Sequence, residues 1–287
     1  MFDFIKIKKE LEEPDSPEFA ERIMAQAKEY YENDDFKNAE KLCMRAHHIY
    51  SSLYSDVPEQ YRENFAACSS LMGSISEGLE KYQEAYDYYQ LGCELYEQLS
   101  NNDQTFSELL ADEYSNVGDT LFFRSDYDKA LKYYNRSLEI FSKLREKNGK
   151  YAEDIAYCYD CIAKSESGKE NYTSAIEYYE KVIEIYNSML GKLSDSDENE
   201  KIKDLRDDLA SVYNDTGYMY SCVKDFEDAE KYYLMAAELY KKLASQDAYE
   251  YTEELASQYD DLAALYEDME KPDLAKLYHK KAQKPET

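Results

Sequence analysis

Residues 170–186 read ENYTSAIEYYEKVIEIY, and this stretch decides the fold because its pattern recurs along the chain. Its central motif, N-Y-T-S-A-I-E-Y-Y (171–179), has four clear counterparts and one weaker one. They are D-F-K-N-A-E-K-L-C (35–43), K-Y-Q-E-A-Y-D-Y-Y (81–89), D-Y-D-K-A-L-K-Y-Y (126–134), D-F-E-D-A-E-K-Y-Y (225–233) and the weaker K-P-D-L-A-K-L-Y-H (271–279). Similarity at a fixed spacing is the sequence signature of a repeat architecture.

The second position of each copy, here called the anchor, sets the register of the repeats. The six anchors are Phe36, Tyr82, Tyr127, Tyr172, Phe226 and Pro272, spaced by 46, 45, 45, 54 and 46 residues. An alanine follows each anchor by three positions. A small residue precedes each anchor by nine positions: Ala27, Gly73, Gly118, Ala163, Gly217 and Ala263. Apolar residues recur every three to four positions on both sides of the anchor, which predicts two amphipathic helices per unit joined by a short turn.

These units predict the domain organisation. We expect one repeat domain over 15–283, preceded by an N-terminal segment or cap (1–14) and followed by a short tail (284–287). Its six repeats cover approximately 15–55, 56–101, 102–147, 148–193, 194–246 and 247–283. Ser16 followed by Pro17 predicts the start of the first full helix, and the last helix is expected over 273–283.

The pattern resembles the tetratricopeptide repeat, a helix–turn–helix unit with a usual period of about 34 residues. The units of this chain are longer, at about 45 residues, with an extra turn on each helix. Such lengthened units are similar to those of kinesin light chains and related bacterial repeat proteins. The resemblance implies an all-α, right-handed α-solenoid of six tandem repeats, in which the first helices of successive units line a concave groove that binds peptides.

The chain has 32 tyrosines and no tryptophan, and the register assigns most of the tyrosines to the scaffold. In the opening stretch, Tyr172 marks a turn, Tyr179 is expected between paired helices, and Tyr186 is expected near the next unit. Tyrosine suits a thin core because its ring is large and apolar while its hydroxyl can reach water or a backbone carbonyl. In this stretch we expect Tyr178 alone to be exposed.

The charge balance restricts the kinds of partner. The chain has 34 basic and 62 acidic residues, a net charge of −28. Nucleic acids and anionic membrane surfaces carry the same sign, so neither is an expected partner. No apolar run approaches the roughly 18 residues that cross a bilayer, and the start of the chain lacks a secretory signal. The six cysteines lie in helical patterns, which predicts a reduced, cytoplasmic location.

Residues that could carry chemistry are few, and we assign no catalytic, cofactor-binding or metal-binding residue. Common catalytic and nucleotide-binding motifs do not occur in the sequence. Cys43 and His47 lie one helical turn apart as two potential metal ligands, but Cys43 occupies the repeat position that tyrosine fills elsewhere, so we expect it in the core. Cys158 and Cys161 form a C-x-x-C in mid-helix, which favours core packing over redox or metal chemistry. The acidic loop within 191–203 lacks the glycine and glutamate that define an EF-hand, so we expect a solvated loop.

By the resemblance, the exposed groove positions lie 15, 12, 8 and 5 residues before each anchor. They give the candidate peptide-binding residues Lys28, Tyr31, Ser70, Ser74, Asp112, Ser115, Asp119, Phe122, Tyr157, Asp160, Lys164, Asn214, Tyr218 and Asp260. The Lys/Asn/Arg set that holds a C-terminal carboxylate in one version of this groove is missing. Three hypotheses stay open: the groove binds a basic segment, it binds a neutral peptide, or its carboxylates only solvate an exposed face.

The predicted function is a non-enzymatic protein-interaction scaffold or adaptor that binds a peptide segment, with a basic segment as one candidate. One alternative is a peptide-responsive regulator that changes superhelix shape on binding its ligand. Another is an enzyme-associated or redox module that uses Cys158 and Cys161. Self-association through the terminal repeats is a further hypothesis. Residues 1–9 are expected to cap the first helix or, alternatively, to occupy the groove as a plug.

Overall fold

A computed structural model of the protein describes residues 14–101, 104–193 and 200–285. Within these ranges the backbone is helical and contains no β-strand. Residue contacts divide the chain into two compact units, Met1–Lys150 and Tyr151–Thr287. Among the described residues, no helix combines the length and the apolarity that a bilayer crossing would require.

The first unit contains three helical hairpins. Its helices are α1 (Pro17–Glu32), α2 (Phe36–Asp56), α3 (Pro58–Gly78), α4 (Tyr82–Ser100), α5 (Ser107–Phe123) and α6 (Tyr127–Asn148), with a short 3₁₀ turn at Gln104–Phe106. Within this unit, each helix packs against the next one along the chain. The hairpins α1/α2, α3/α4 and α5/α6 are the first three repeats.

The second unit repeats this organisation. Its helices are α7 (Ala152–Gly168), α8 (Tyr172–Leu190), α9 (Glu200–Cys222), α10 (Phe226–Gln246), α11 (Ala248–Asp268) and α12 (Pro272–Gln283). They form the hairpins α7/α8, α9/α10 and α11/α12, again packed in chain order. The predicted fold class, an all-α solenoid of tandem helix–turn–helix repeats, is therefore confirmed for the described residues.

The anchors fix the starts of the second helices. Each of the six second helices begins at its anchor residue. Two of these starts carry an aspartate cap, since Asp35 accepts a hydrogen bond from the Asn38 amide and Asp225 accepts one from the Asp228 amide. The predicted first helix is also confirmed, because α1 starts at Pro17 and Ser16 Oγ accepts from the Phe19 amide at 3.1 Å.

The turn inside every hairpin has the same backbone geometry. The residue two positions before each anchor is left-handed and is not glycine: Asp34, Glu80, Ser125, Glu170, Lys224 and Glu270, with φ between 55° and 63°. In the fourth repeat, the amide of Asn171 donates to the carbonyl of Glu166, and that of Glu170 donates to the carbonyl of Ser167. This pair of bonds is a Schellman motif, which ends a helix and reverses the chain, and equivalent pairs occur in the other five turns.

The small residues of the first helices allow close packing of the second helices. The rings of Tyr89, Tyr134 and Tyr233 lie against Gly73, Gly118 and Gly217, respectively. These tyrosines and Tyr179 are at most 5% exposed, so the structural role predicted for this position is confirmed. The extra turns are packed as well, because Phe19, Phe65, Leu110, Ile155, Leu209 and Leu255, all seventeen residues before an anchor, are buried.

Two expectations about individual residues have different outcomes. Cys43, Cys158 and Cys161 are buried, as the core interpretation predicts. The expected exposure of Tyr178 is wrong, since its ring is half-buried, 6.0 Å from the ring of Tyr159 and 4.2 Å from Lys181 Nζ.

Some sequence predictions fall outside the described ranges. The cap or plug formed by residues 1–9 lies outside them, as does most of the acidic loop, at residues 194–199. These remain predictions.

Candidate functional site

Each unit carries a candidate site of its own: the positions 15, 12, 8 and 5 residues before each of its anchors, together with their immediate neighbours, here called the first-helix face of that unit. It lies on α1, α3 and α5 in the first unit and on α7, α9 and α11 in the second. Three or four residues separate successive positions, so on each helix they share one side.

In the first unit, tyrosines of the second helices reach the first-helix face from the core. The hydroxyl oxygen of Tyr89 lies within hydrogen-bond distance of Ser74 Oγ and of Glu77 Oε2, at 3.1 Å from each. The hydroxyl of Tyr134 donates to Asp119 Oδ1 at 2.7 Å. The buried rings therefore fix the positions of polar groups on this face.

Other predicted residues of this unit are placed differently. Lys28 and Asp112 are exposed, whereas Tyr31 and Phe122 are half-buried, with rings 5.8 Å from Phe36 and 5.6 Å from Tyr127. The prediction of Ser115 as a groove residue is wrong. Its side chain is buried and donates to Ser137 Oγ at 2.9 Å, because at this position α5 packs directly on α6.

A buried acid that the sequence analysis missed lies behind Ser70. Glu113 on α5 is 3% exposed; its Oε1 accepts a hydrogen bond from Ser70 Oγ, and its Oε2 has no partner. Burial raises the pKa of Glu113 to about 8. A Cβ on Gly92 would lie 2.7 Å from Glu113 Oε2, so the glycine provides the space for the acid. The sequence feature that could have indicated this buried acid is Gly92, because the equivalent position of the next repeat is the larger Ser137.

In the second unit, the predicted residues Asp160 and Lys164 form an ion pair on α7. Lys164 Nζ lies 2.7 Å from Asp160 Oδ2, and the side chain of Asp160 is 15% exposed. Burial raises the pKa of Asp160, although the charge of Lys164 opposes that effect. Tyr157, one turn earlier, is 44% exposed.

Two further carboxylates lie on α9 and α11, one residue after predicted positions. Asp215 accepts a hydrogen bond from the hydroxyl of Tyr179 at 3.4 Å, and burial raises its pKa to about 6. Asp261 is half-buried; desolvation and the charge of Asp260 raise its pKa, while a hydrogen bond from Asn214 lowers it. Asn214 Oδ1 is buried without a partner. Both acids lie 11 residues before their anchors, one residue beyond the predicted positions, so the repeat register alone did not identify them.

The face ends at the last hairpin. Asp260 and Glu267 are exposed, and both contact His279 of α12: its Nδ1 lies 3.1 Å from Asp260 Oδ1, and its Nε2 lies 3.2 Å from Glu267 Oε1. His279 occupies the repeat position of Tyr134, so once more a second-helix side chain reaches a first-helix carboxylate. The predicted residue Tyr218, on α9, is 55% exposed.

The electrostatics of the first-helix face in the second unit favour the binding of a positively charged group. Asp160, Asp215 and Asp261 are each partly removed from water, and each has a raised pKa. A raised carboxyl pKa means that nearby positive charge does not compensate the cost of desolvation. Lys164 is the basic residue whose charge acts on Asp160 and Asp215. In the described residues, His, Cys, Asp and Glu form no group of three or more with metal-binding geometry.

Comparisons with known proteins agree with this architecture. Models of the tetratricopeptide repeat match residues 109–188 and 209–247. A comparison with curated protein sequences gives no significant match.

Three solved structures are similar in fold. BtubC (BKLC) from P. vanneervenii has 18% identity and a TM-score of 0.64, covering 86% of this chain and 89% of that one. The apo form of the quorum sensor NprR from B. thuringiensis has 15% identity and a TM-score of 0.60, covering 97% of this chain and 68% of that one. The nearly identical TPR-like repeats of a Podosopora anserina "putative kinesin light chain" have 10% identity and a TM-score of 0.58, covering 82% of this chain and 99% of that one. At these identities the likeness shows the fold alone.

The repeat spacing, the helical hairpins and the family matches point to one conclusion. Tetratricopeptide repeats are generally a non-enzymatic protein-interaction fold. The chain is therefore a tetratricopeptide-repeat protein with lengthened units.

Proposed function

We propose that this protein is an interaction scaffold whose first-helix face binds a peptide segment carrying Lys or Arg side chains. The observation that carries the proposal is the set of partly buried carboxylates Asp160, Asp215 and Asp261 with raised pKa values. A bound ammonium or guanidinium group would supply the positive charge that these acids lack. Predicted neighbours of these acids, Lys164 and Asn214, would orient the ligand.

Apolar contacts would come from exposed aromatic side chains on the same face. Tyr157 and Tyr218 are 44% and 55% exposed, and large exposed rings are common anchors in binding surfaces. The first unit, taken by itself, offers the half-buried rings of Phe122 and Tyr31 on its own first helices. The expected ligand is therefore a protein segment that alternates basic and apolar residues. Nucleic acid and membrane remain outside the proposal because of the net charge of −28, and a cytoplasmic location remains part of it.

Salt dependence tests the electrostatic part of this function. A peptide that alternates Lys with Ala and Tyr would be titrated into the protein at low and high ionic strength, beside the same peptide with Gln in place of Lys. We expect the affinity for the Lys peptide to fall as salt rises, because salt screens the long-range attraction between a cationic peptide and a protein with a net charge of −28. Equal affinity of the Lys and Gln peptides at low salt would contradict the proposal.

The alternative is a regulator that changes shape on binding a peptide. The fold likeness to the quorum sensor NprR, which extends over 97% of this chain, favours it as a second candidate. Small-angle scattering separates the two candidates. Compaction of the protein on adding the Lys peptide supports the regulator, whereas an unchanged scattering profile with peptide bound supports the scaffold.

A further inference from the structure

Two buried thiols meet where α2 packs on α3. The Sγ atoms of Cys43 and Cys68 lie 3.8 Å apart, close to van der Waals contact. Each sulfur also faces the backbone carbonyl of the other residue, at 3.7 Å for Cys43 Sγ and 3.8 Å for Cys68 Sγ. Both backbones therefore come close to the sulfur pair, and a disulfide requires such an approach.

The contact depends on a departure from the repeat pattern. Cys43 lies seven residues after its anchor, where the next two repeats have Tyr89 and Tyr134. A tyrosine ring would fill this space, whereas the smaller thiol leaves room for Cys68 from the following first helix. The two residues are separated by 25 positions in sequence, so their contact joins two different repeats.

We propose that Cys43 and Cys68 form a redox modification site at which hydrogen peroxide produces a disulfide between α2 and α3. The thiolate of one cysteine attacks a peroxide oxygen, which breaks the O–O bond and gives a sulfenic acid and hydroxide. The sulfur of the second cysteine then attacks the sulfenic sulfur and displaces the hydroxyl group, which leaves as water. In total, two thiols and one peroxide become one disulfide and two water molecules.

Burial determines which oxidants reach the site and how fast they react. Both cysteines are fully buried, so a small oxidant has access only when the hairpins open locally. The hydrogen bond with Cys68, together with burial, raises the pKa of the Cys43 thiol well above its usual range, which keeps the reactive thiolate scarce. Oxidation is therefore slow in the folded protein. Once formed, the disulfide is shielded from reductants in the same way.

The site is independent of the proposed peptide binding. The disulfide would pin the second helix of the first repeat to the first helix of the second repeat, and it would restrict the unfolded chain. We expect the thermal unfolding midpoint to rise by roughly 5–10 °C on oxidation and to return after reduction in denaturant.

Peptide mapping tests the proposal directly. The full-length protein would be treated with hydrogen peroxide, alkylated in denaturant and digested with trypsin without reduction. Cys43 and Cys68 fall in separate tryptic peptides, LCMR (42–45) and ENFAACSSLMGSISEGLEK (63–81), so their disulfide gives a unique cross-linked pair. We expect this pair in the oxidised sample and four alkylated thiols out of six.

Three variants provide the controls. Cys43→Ala and Cys68→Ala should each lose the cross-link and the rise in unfolding midpoint. Cys93→Ala, which removes another buried thiol of the same unit, should keep both. Absence of the cross-linked pair in the oxidised wild-type protein overturns the proposal, as does an equal rise in midpoint for Cys43→Ala.

Discussion

The ring of Tyr134 occupies the space directly over Gly118, so a Cβ added to Gly118 would lie 2.5 Å from Tyr134 Cε1. The same relationship joins Gly73 to Tyr89 in the repeat before it. Because the first helix lacks a side chain at this point, the tyrosine ring crosses it, and the hydroxyl of Tyr134 reaches Asp119 at 2.7 Å. One close contact thus packs the core and positions a polar group of the first-helix face.

Replacing Gly118 by alanine tests this contact. Gly→Ala in a helix interior usually stabilises by up to about 1 kcal/mol, but here the new Cβ would collide with a buried ring. We expect Gly118→Ala to lower the free energy of unfolding in urea by about 1–3 kcal/mol. Gly191→Ala is the control, because its φ of −66° suits alanine and the nearest neighbour of a new Cβ would be the backbone oxygen of Asn187 at 3.3 Å. A stabilising Gly118→Ala would show that the ring has room to move.

At the left-handed turn residues, substitution by glycine is expected to stabilise the fold. Glu170 has φ of 63°, a conformation that costs a non-glycine residue about 1–2 kcal/mol. We expect Glu170→Gly to raise the free energy of unfolding by about 0.5–1 kcal/mol after the entropy cost of glycine. The matched control is Glu177→Gly at an exposed position inside α8, which should lower it by about 1 kcal/mol. If both variants are destabilised alike, the turn geometry is wrong.

The buried acid Glu113 predicts a stability that decreases with pH. Its pKa is raised to about 8 in the folded protein, against about 4.3 in an unfolded chain. Between these values the folded state binds more protons, so its contribution to the free energy of unfolding falls as pH rises. Glu113→Gln should remove this dependence and be more stable than wild type at pH 8, by on the order of a few kcal/mol. Urea unfolding at pH 5 and pH 8 measures the difference.

A control for Glu113 lies on the neighbouring helix. Glu94 on α4 is exposed, so Glu94→Gln makes the same chemical change without altering a buried group. We expect its pH dependence to follow that of wild type. A pH dependence unchanged in Glu113→Gln would mean that Glu113 is ionised and compensated in the folded state.

His279, whose charged form is the protonated one, also predicts a stability that decreases as pH rises. Hydrogen bonds to Asp260 and Glu267 raise its pKa, and only the imidazolium can donate from both ring nitrogens. The stabilisation is complete below about pH 6.5, the ordinary value, and is lost as pH rises through the higher pKa of the folded state. In an NMR titration, Asp260→Asn combined with Glu267→Gln should lower the pKa of His279. An unaltered His279 titration would show that neither contact persists in solution.

The parts of this structure that depend on spacing were predictable from sequence. The anchors mark the starts of the second helices, and the small residues nine positions before them mark where tyrosine rings pack. The Schellman turns were not predictable in detail, because residues such as Glu80 stand where glycine would give the signal. Asp215 and Asp261 were missed because the angular position of a helix face shifts by about 100° for each residue. The contacts of Glu113 with Ser70 and of Cys43 with Cys68 require knowing how adjacent repeats pack.

The central claim is that the carboxylates of the second unit bind a basic segment. The most direct test of this claim measures the affinity of the Lys-containing peptide by calorimetry at pH 7 and low salt for two double variants. One carries Asp215→Asn and Asp261→Asn, and the other carries Glu177→Gln and Glu238→Gln. Both pairs remove two negative charges, but Glu177 and Glu238 are exposed on second helices. We predict a loss of about tenfold or more for the first pair, corresponding to about 1.4 kcal/mol, and little change for the second. Equal affinities of the two variants would contradict the account.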